Sequence, residues 1–212
     1  MNIVFIYDDN YKEFAKITEK SVLKHNPGAK IYQINKLPLK YQKIFKGYEN
    51  ALHPTNICYA KLFIHEILPD LDKVLYLDTD LICLDSLEEL YNTDFDNKLI
   101  VGCESHDFGK KQAQELGNDK YFNSGVMLLN LKELRNRNVS ENIKKNFEQL
   151  VGKTLWVYDE TIINGLLYDD IKFISHKWNY CINRQYKNRE ITDPKIIHFI
   201  GSDKSGMLNY EN

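Results

Sequence analysis

The sequence predicts an α/β protein whose central sheet is mixed, mostly parallel and flanked by helices. Short, almost continuous apolar runs, such as residues 2–7 and 73–77, are typical of strands that a parallel sheet buries on both faces. The chain also opens in the order strand, helix, strand, which is the pattern of a βαβ unit. Its 212 residues contain no internal repeat and no linker-like change of composition, so we predict a single domain over residues 1–212.

The first unit begins with a β-rich strand at residues 2–7 and continues into a helix. Apolar side chains recur at helical spacing across residues 14–25, Asn10 is available as the amino-terminal cap, and residues 26–28 (Asn-Pro-Gly) stop the helix. Residues 30–34 are predicted to be the second strand. No Gly-X-Gly-X-X-Gly or Walker sequence occurs in the chain, which argues against a dinucleotide dehydrogenase and against a P-loop enzyme.

The middle of the chain holds an irregular stretch and then the central strand. Residues 36–54 are basic and aromatic, and we predict a mobile connection there. The apolar positions of residues 56–68 fit a helix, which Pro69 ends. The apolar run at residues 73–77 follows and is predicted to be the central strand.

The second half of the chain continues the alternation. Residues 121–130 are predicted to form a polar bend followed by a strand, and residues 104–120 a loop. Further helices are predicted at residues 86–91, 131–137, 140–151 and 159–167, and further strands at residues 98–103, 172–175 and 195–200.

Charge and composition bound the possible partners. The formal net charge is −2, so no overall basic field attracts the chain to nucleic acid or to an anionic membrane, and we expect neither partner. Acidic residues stand at positions 8 and 9, where a signal peptide would still be apolar, and no apolar run approaches the roughly 18 residues of a membrane span. We therefore expect a cytosolic protein, which would lie in the host cytoplasm if the source is viral.

The four cysteines suit the same compartment. They are far apart in the sequence and lie mostly within apolar runs, which is typical of reduced core thiols rather than of a disulfide or zinc framework. They are Cys58, Cys83, Cys103 and Cys181.

Two carboxylates follow the central strand. Asp78 and Asp80 stand one residue apart at its carboxyl end, which is the edge where ligands bind in open α/β sheets. No Lys or Arg lies beside them in the sequence, so the two charges would repel each other unless a cation lay between them. Oxygen donors of this kind suit Mg²⁺ or Mn²⁺. The structural alternative is that Asp78 is a solvated loop residue and Asp80 begins the next turn.

A histidine in the last strand is a third candidate ligand. His198 is flanked by apolar residues, so the structural alternative is a hydrogen-bonded core histidine. It is followed by Gly201, which allows close backbone approach, and by Lys204, so one loop would offer a metal ligand, a phosphate-facing backbone and a cation. Two Asp oxygens and one His nitrogen leave about three octahedral positions for diphosphate oxygens or water.

These motifs, taken in order, resemble glycosyltransferase family 8, whose members have the GT-A fold and include glycogenin and bacterial lipooligosaccharide galactosyltransferases. The first domain of a multidomain chlorovirus glycosyltransferase is a further resemblance. The matching segments span nearly the whole chain: Asp8-Asp9-Asn10-Tyr11, His53, Tyr59-Ala60-Lys61-Leu62, Lys73 to Asp80, Tyr121-Phe122-Asn123-Ser124-Gly125-Val126, Asp159-Glu160-Thr161-Ile162-Ile163-Asn164, and His198 to Lys204.

The resemblance implies a nucleotide-sugar site. Asp78, Asp80 and His198 would bind Mn²⁺ or Mg²⁺, which bridges the two phosphates of a UDP-sugar, and Lys204 would help to stabilise the departing UDP. The resemblance further implies that Asp8 and Asn10 hydrogen-bond the uracil edge, Tyr11 stacks on its face, the Thr79 backbone approaches the ribose and Lys61 reaches the phosphates or the sugar. The implied sugar pocket consists of His53, Asn123, Ser124, Asp159 and Glu160.

Three departures from the family pattern bear on the chemistry. Lys61 replaces the usual Arg, which keeps the charge and loses bidentate geometry. Asp159-Glu160-Thr161 replaces the usual Asp-Gln-Asp, so Glu160 is a candidate nucleophile, either Asp159 or Glu160 is a candidate base, and the stereochemistry stays open. Lys204 is followed by Ser-Gly rather than Pro-Trp. We expect a monomer, either a minimal enzyme or a domain excised from a longer protein.

The resulting hypothesis is metal-dependent transfer of glucose, galactose or a deoxyhexose such as rhamnose from a UDP-sugar to a saccharide hydroxyl. Residues 36–54 and 104–120 are the expected walls of the acceptor site. Two alternatives stay open: a sugar-phosphate nucleotidyltransferase, which would also use an Asp-bound metal, and a non-catalytic carbohydrate-binding module with a structural metal.

Overall fold

The computed structural model describes residues 1–47, 56–105, 109–150, 158–182, 192–201 and 203–208. Within these ranges the strands are β1 (Asn2–Ile6), β2 (Lys30–Ile34), β3 (Lys73–Leu77), β4 (Leu81–Cys83), β5 (Ile100–Glu104), β6 (Phe122–Asn130), β7 (Ile171–Ile174), β8 (Tyr180–Ile182) and β9 (Ile196–Phe199). The helices are α1 (Lys12–His25), α2 (Leu39–Gln42), α3 (Ile64–Ile67), α4 (Glu88–Tyr91), α5 (Gly109–Leu116), α6 (Leu131–Asn136), α7 (Val139–Asn146), α8 (Asp159–Leu166) and α9 (Ser205–Leu208).

The main sheet has six strands in the order β2-β1-β3-β6-β5-β7. The β1–β2, β1–β3 and β5–β7 pairs are parallel, whereas β6 runs antiparallel to both β3 and β5. The prediction of a mixed, mostly parallel sheet is therefore confirmed. A smaller sheet, β4-β9-β8, lies beyond the carboxyl end of β3.

The central strand is buried on both faces, as its apolar run predicts. Val74 and Tyr76 face one hydrophobic cluster, and Leu75 and Leu77 face the other. All four side chains are fully buried. This alternation fixes the register of β3, because a slip of one residue would exchange the two faces.

The prediction of a mobile connection over residues 36–54 is wrong for its described part, residues 36–47. This part contains α2, and Tyr41 and Phe45 are fully buried. Tyr41 stacks on Phe63 with ring centroids 3.9 Å apart, and Phe45 stacks on Tyr59 at 4.0 Å. The aromatic residues therefore pack this segment against the hydrophobic core. Residues 48–54, which include His53, lie outside the described residues.

Other boundaries also differ from the prediction. The polar bend expected at the start of residues 121–130 does not form, because β6 already begins at Phe122. Residues 104–120 are not a loop throughout, because α5 forms there. The helix expected over residues 56–68 is a 3₁₀ segment, Ile57–Phe63, followed by α3. The three-residue strands β4 and β8 were not predicted, since so short a run carries little periodicity.

Two further predictions concern the cysteines and membrane-spanning segments. All four cysteines are buried and free of disulfides, as the sequence predicts. Among the residues that the structure describes, no helix has the length and apolar character needed to cross a bilayer.

The stack on Tyr59 predicts that Phe45→Ala is strongly destabilising. Removal of a fully buried phenyl ring costs about 3–5 kcal/mol in the free energy of unfolding. Leu39→Ala is the matched control, because Leu39 is 69% exposed and lies six residues earlier in the same segment. Urea denaturation followed by circular dichroism measures both variants. Equal, small effects of the two substitutions would contradict the packing of residues 36–47.

Candidate active site

A cavity of about 460 Å³ opens at the carboxyl ends of β1 and β3. This is the sheet edge at which the sequence places acidic side chains. Its lining residues are Ile6, Tyr7, Asp8, Tyr11, Ile57, Cys58, Lys61, Tyr76, Asp78, Thr79, Asp80, Asn123, Asp159, His198, Ile200, Gly201 and Lys204.

The turn that carries Asp78 and Asp80 is held from three sides. The backbone N–H of Asp78 donates to the Gly125 carbonyl at 2.8 Å, and the N–H of Phe199 donates to the Asp80 carbonyl at 2.9 Å. The hydroxyl of Thr18, buried on α1, lies 2.9 Å from the Thr79 carbonyl and 2.8 Å from the Leu81 carbonyl. The two carboxylates therefore project from a fixed backbone.

Asp78, Asp80 and His198 form a candidate metal site. One ligand atom from each lies within 4.8 Å of the others, and the His198 Nε2 is 3.0 Å from Asp80 Oδ1 and 3.6 Å from Asp78 Oδ2. Apart from that imidazole nitrogen, the buried Asp80 Oδ1 has no hydrogen-bond partner among the described residues. Two carboxylates and an imidazole that face one another in this way form a donor set that a divalent cation satisfies.

Gly125 makes room for the imidazole. A Cβ at this position would lie 2.2 Å from His198 Cε1 and 2.7 Å from Nδ1, which is closer than any real contact. His198 therefore reaches the two aspartates only because residue 125 has no side chain. His198 is thus a hydrogen-bonded core histidine and a candidate ligand at once.

Two buried lysines balance the carboxylates. Lys61 Nζ lies 3.0 Å from Asp78 Oδ1 and 3.1 Å from Asp159 Oδ2, and Lys204 donates to Asp80 Oδ2 and to the Phe199 carbonyl. Burial alone would lower the pKa of Lys61, but the charges of Asp159 and Asp78 raise it well above its ordinary value. The sequence shows no lysine next to Asp78 or Asp80, but both lysines reach these carboxylates from other segments of the chain.

Asp159 and Glu160 start α8 and bind the first residues of β6. The Ser124 hydroxyl donates to Asp159 Oδ2 at 3.1 Å. Glu160 Oε2 accepts from Asn123 Nδ2 at 3.1 Å and from the Ser124 N–H at 2.9 Å. These bonds give Asn123 and Ser124 partners within a strand, which explains why no turn forms there.

Burial raises the pKa of Glu160 to about 7. Its hydrogen bond from the Ser124 N–H opposes this increase, and the nearby charge of Asp159 adds to it. Lys61, Asp78 and Tyr121 are the other titratable groups that interact with this carboxyl group. Glu160 therefore changes charge near neutral pH, which suits a group that exchanges protons.

The first strand places the predicted base-binding residues at the cavity. Asp8 and Tyr11 line it, whereas Asn10 is exposed and is not among the lining residues. The cap expected from Asn10 is wrong, because the Asp8 side chain accepts the Asn10 N–H and caps the 3₁₀ turn Asp9–Tyr11 before α1. Asp8, two residues earlier, therefore takes the capping role that was predicted for Asn10.

The remaining predicted residues lie as follows. Thr79, Gly201 and Lys204 line the cavity, and Gly201 has a φ of +84°, a conformation that favours glycine. Ser124 and Glu160 do not line the cavity themselves. Ser124 contacts the lining residue Asp159, and Glu160 contacts the lining residue Asn123.

Some residues of the site were missed from the sequence. Thr18 was recognisable as a polar residue on the buried face of α1. Tyr76, whose hydroxyl donates to Asp78 Oδ1, was recognisable from its position two residues earlier on the same strand. Asn179, which contacts both His198 and Asn123, carries no sequence signal because its partners are 19 and 56 residues away.

The family model described as Glycosyl transferase family 8 matches residues 29–205. The chain belongs to this family. The resemblance seen in the motifs is therefore confirmed, and the chain is a glycosyltransferase of family 8.

Two relatives whose names describe glucosyltransferases agree with this assignment. The chain is 29% identical over 245 residues to a lipopolysaccharide 1,2-glucosyltransferase of Escherichia coli, covering 96% of this chain and 72% of that protein. It is 32% identical over 211 residues to the lipopolysaccharide glucosyltransferase WaaO of E. coli K12, covering 93% of this chain and 60% of that protein. The relatives are thus longer than the sequence described.

Solved structures show the same fold. The crystal structure of the galactosyltransferase LgtC in complex with donor and acceptor sugar analogues superposes with a TM-score of 0.80 at 24% identity. The match covers 95% of this chain and 87% of that chain. The GT-A fold that the family-8 resemblance implies is therefore confirmed.

The raised pKa of Glu160 predicts a pH-dependent effect of Glu160→Gln on stability. An acid whose pKa is raised on folding stabilises the native state below its unfolded pKa, near 4.5, and loses that contribution as the pH rises to about 7. Glutamine does not titrate, so this loss is absent in Glu160→Gln. The free energy of unfolding of the variant, relative to that of wild type, should therefore increase by about 2 kcal/mol between pH 5 and pH 8.

Urea denaturation at both pH values, with EDTA to remove metal ions, measures this change. Glu148→Gln is the control, because Glu148 is exposed and lies outside the cavity. A pH-independent difference between wild type and Glu160→Gln would contradict the assignment.

Proposed function

We propose that this family-8 chain transfers a hexose from a UDP-sugar, with glucose, galactose or rhamnose as the sugar, to a hydroxyl of a saccharide acceptor. We further propose that transfer requires Mn²⁺ or Mg²⁺. The observation that carries the proposal is the convergence of Asp78, Asp80 and His198 on one cavity beside two buried lysines. Such a site matches a diphosphate, because it combines metal ligands with fixed cations.

The metal site is composed of two carboxylates and an imidazole. Asp78 and Asp80 would supply hard oxygen ligands and His198 a nitrogen ligand, a combination that suits Mn²⁺ or Mg²⁺. A divalent ion held there would supply Lewis-acid stabilisation of the charge that develops on the leaving diphosphate.

The donor would lie along the carboxyl ends of β1 and β3. Asp8 and Tyr11 line the part of the cavity next to β1, where an acceptor and an aromatic face suit a uracil ring. Asn10 would approach the base from outside the lining. Thr79 offers backbone near the ribose, and Gly201 offers backbone near the phosphates.

The two lysines would meet the charged part of the donor. Each is bound to a carboxylate in the described structure, Lys61 to Asp78 and Asp159 and Lys204 to Asp80. The binding of a diphosphate would let both lysines share these contacts with phosphate oxygens. A lysine suits this role because its ammonium group has three rotatable donors.

The reacting sugar would lie against the start of α8. Asn123, Ser124, Asp159 and Glu160 form one hydrogen-bonded group there, and His53 is the further residue that the resemblance assigns to this pocket. We propose Glu160 as the group that receives the proton of the attacking hydroxyl, since its carboxylate is fixed by two donors. Asp159, bound by Lys61 and Ser124, would orient the sugar.

UDP binding is predicted to require Mn²⁺ and an intact metal site. In isothermal titration calorimetry, Asp80→Asn should weaken UDP binding in Mn²⁺ by about 100-fold or more, because it replaces an anionic metal ligand with a neutral amide, a larger change than the loss of a residue that only supports a ligand. Asp72→Asn is the matched control: Asp72 precedes β3 at the opposite end, exposed and paired with Arg135. UDP binding of wild type in EDTA, or unchanged binding by Asp80→Asn in Mn²⁺, would count against the proposal.

Hydrolysis of a panel of nucleotide sugars tests the donor and the role of Glu160 without an acceptor. Glu160→Gln should lower kcat by about 10²–10⁴-fold with little change in KM, because it removes a proton acceptor and keeps the shape. Glu148→Gln should match wild type. Anomer analysis by NMR distinguishes retention from inversion, and formation of pyrophosphate from a nucleoside triphosphate and a sugar phosphate would favour the nucleotidyltransferase alternative.

A further inference from the structure

We infer that Asn179 is a positioning residue that orients the metal ligand His198 and the sugar-pocket residue Asn123 at the same time. The inference rests on the proposed metal site. Asn179 lies between the 3₁₀ turn His176–Trp178 and β8, and it is 1% exposed. It therefore directly precedes the small sheet and comes from a different segment than the two aspartates.

The contacts of Asn179 join two parts of the site. Its Oδ1 is 2.9 Å from His198 Nδ1, and its Nδ2 donates to Asn123 Oδ1 at 2.6 Å. Asn123 in turn donates from Nδ2 to Glu160 Oε2 at 3.1 Å. One continuous chain of hydrogen bonds thus runs from the candidate metal ligand to the candidate proton acceptor.

Two groups with fixed roles set the orientation of Asn123. The backbone N–H of Gly125, which is always a donor, lies 3.1 Å from Asn123 Oδ1. When ionised, the Glu160 carboxylate is an acceptor, and it faces Asn123 Nδ2. The amide of Asn123 therefore has its oxygen toward Gly125 and its nitrogen toward Glu160.

The same logic then fixes Asn179 and His198. Since Asn123 Oδ1 is an acceptor, the Asn179 atom that faces it must be the donor Nδ2, so Asn179 Oδ1 faces the imidazole. His198 Nδ1 must then carry the proton. In a neutral imidazole this leaves the lone pair on Nε2, the nitrogen 3.0 Å from Asp80 Oδ1.

The orientation has a functional consequence. A histidine binds a metal through a nitrogen that carries no proton, and the bond made by its other nitrogen selects the tautomer. Cys181 Sγ also approaches His198 Nδ1, at 3.8 Å, but the amide oxygen of Asn179 is nearer and is the stronger acceptor. Asn179 thus presents Nε2 to the metal and holds Asn123 against Glu160.

Two substitutions separate these effects. Asn179→Ala removes both hydrogen bonds, so Mn²⁺ affinity should fall by about 10–100-fold, the usual effect of losing a residue that orients a metal ligand. Asn179→Asp is nearly isosteric and still accepts from His198 Nδ1, so it should keep Mn²⁺ affinity within about threefold of wild type. Aspartate cannot donate to Asn123 Oδ1, so turnover should fall at least about 10-fold in this variant.

The experiment measures Mn²⁺ affinity by titration calorimetry without donor, and hydrolysis of UDP-glucose, UDP-galactose and UDP-rhamnose with saturating Mn²⁺. Asn142→Asp is the control, because Asn142 is exposed on α7 and uses the same side-chain oxygen as an acceptor. Thermal unfolding checks that each variant is folded. If Asn179→Ala does not fold, Asn179→Asp alone provides the test through its retained affinity and reduced turnover.

The outcomes distinguish this inference from the proposed function. Wild-type protein that binds no Mn²⁺ would overturn both. If wild type binds Mn²⁺, two results would overturn the role of Asn179 alone. One is that Asn179→Ala binds Mn²⁺ as well as wild type does, and the other is that Asn179→Asp loses as much affinity as Asn179→Ala. Wild-type protein that binds Mn²⁺ and hydrolyses none of the three donors would overturn the donor chemistry, while the two Mn²⁺ affinities would still decide the role of Asn179.

Discussion

The site depends on the balance of charge among side chains that are largely buried in one cleft. Asp78, Asp80 and Asp159 lie close together, and two like charges 4 Å apart repel each other by about 4 kcal/mol at an effective dielectric constant of 20. Lys61 lies between Asp78 and Asp159, and Lys204 binds Asp80, so each carboxylate has a cationic partner. The lysines are buried for the same reason, since a buried charge is tolerated when it is paired.

This balance requires distant parts of the chain to fold together. Lys61 comes from the 3₁₀ segment before α3, whereas His198 and Lys204 lie near the end of the chain. The small sheet makes the connection, because β4 continues directly from the Asp78–Asp80 turn and pairs Leu81 with His198. The register of three short strands therefore decides whether the imidazole faces the carboxylates, and Gly125 on β6 leaves the space for it.

Sequence patterns predicted those parts of the structure that depend on residues close together in the sequence. The apolar runs of β1, β2 and β3 and the acids after β1 and β3 are visible without any tertiary information, and motif order added His198. The patterns failed where a distant partner overrides local preference. Asn123 and Ser124 are typical turn residues, yet they lie in a strand because Asp159 and Glu160, more than 30 residues later, satisfy their polar atoms. The aromatic stacking of residues 41 and 45 was hidden in the same way.

The local environment accommodates a glutamate at position 160, where the resemblance to family 8 implies a glutamine. Burial raises the pKa of Glu160, so near neutral pH the side chain exists in both forms. The neutral form resembles glutamine in size and charge, and its oxygen can still accept from Asn123 and the Ser124 N–H. The ionised form adds a negative charge next to Asp159, which is tolerated because Lys61 lies beside that aspartate. A carboxyl group at this position thus keeps the hydrogen bonds of an amide and gains the ability to take up a proton.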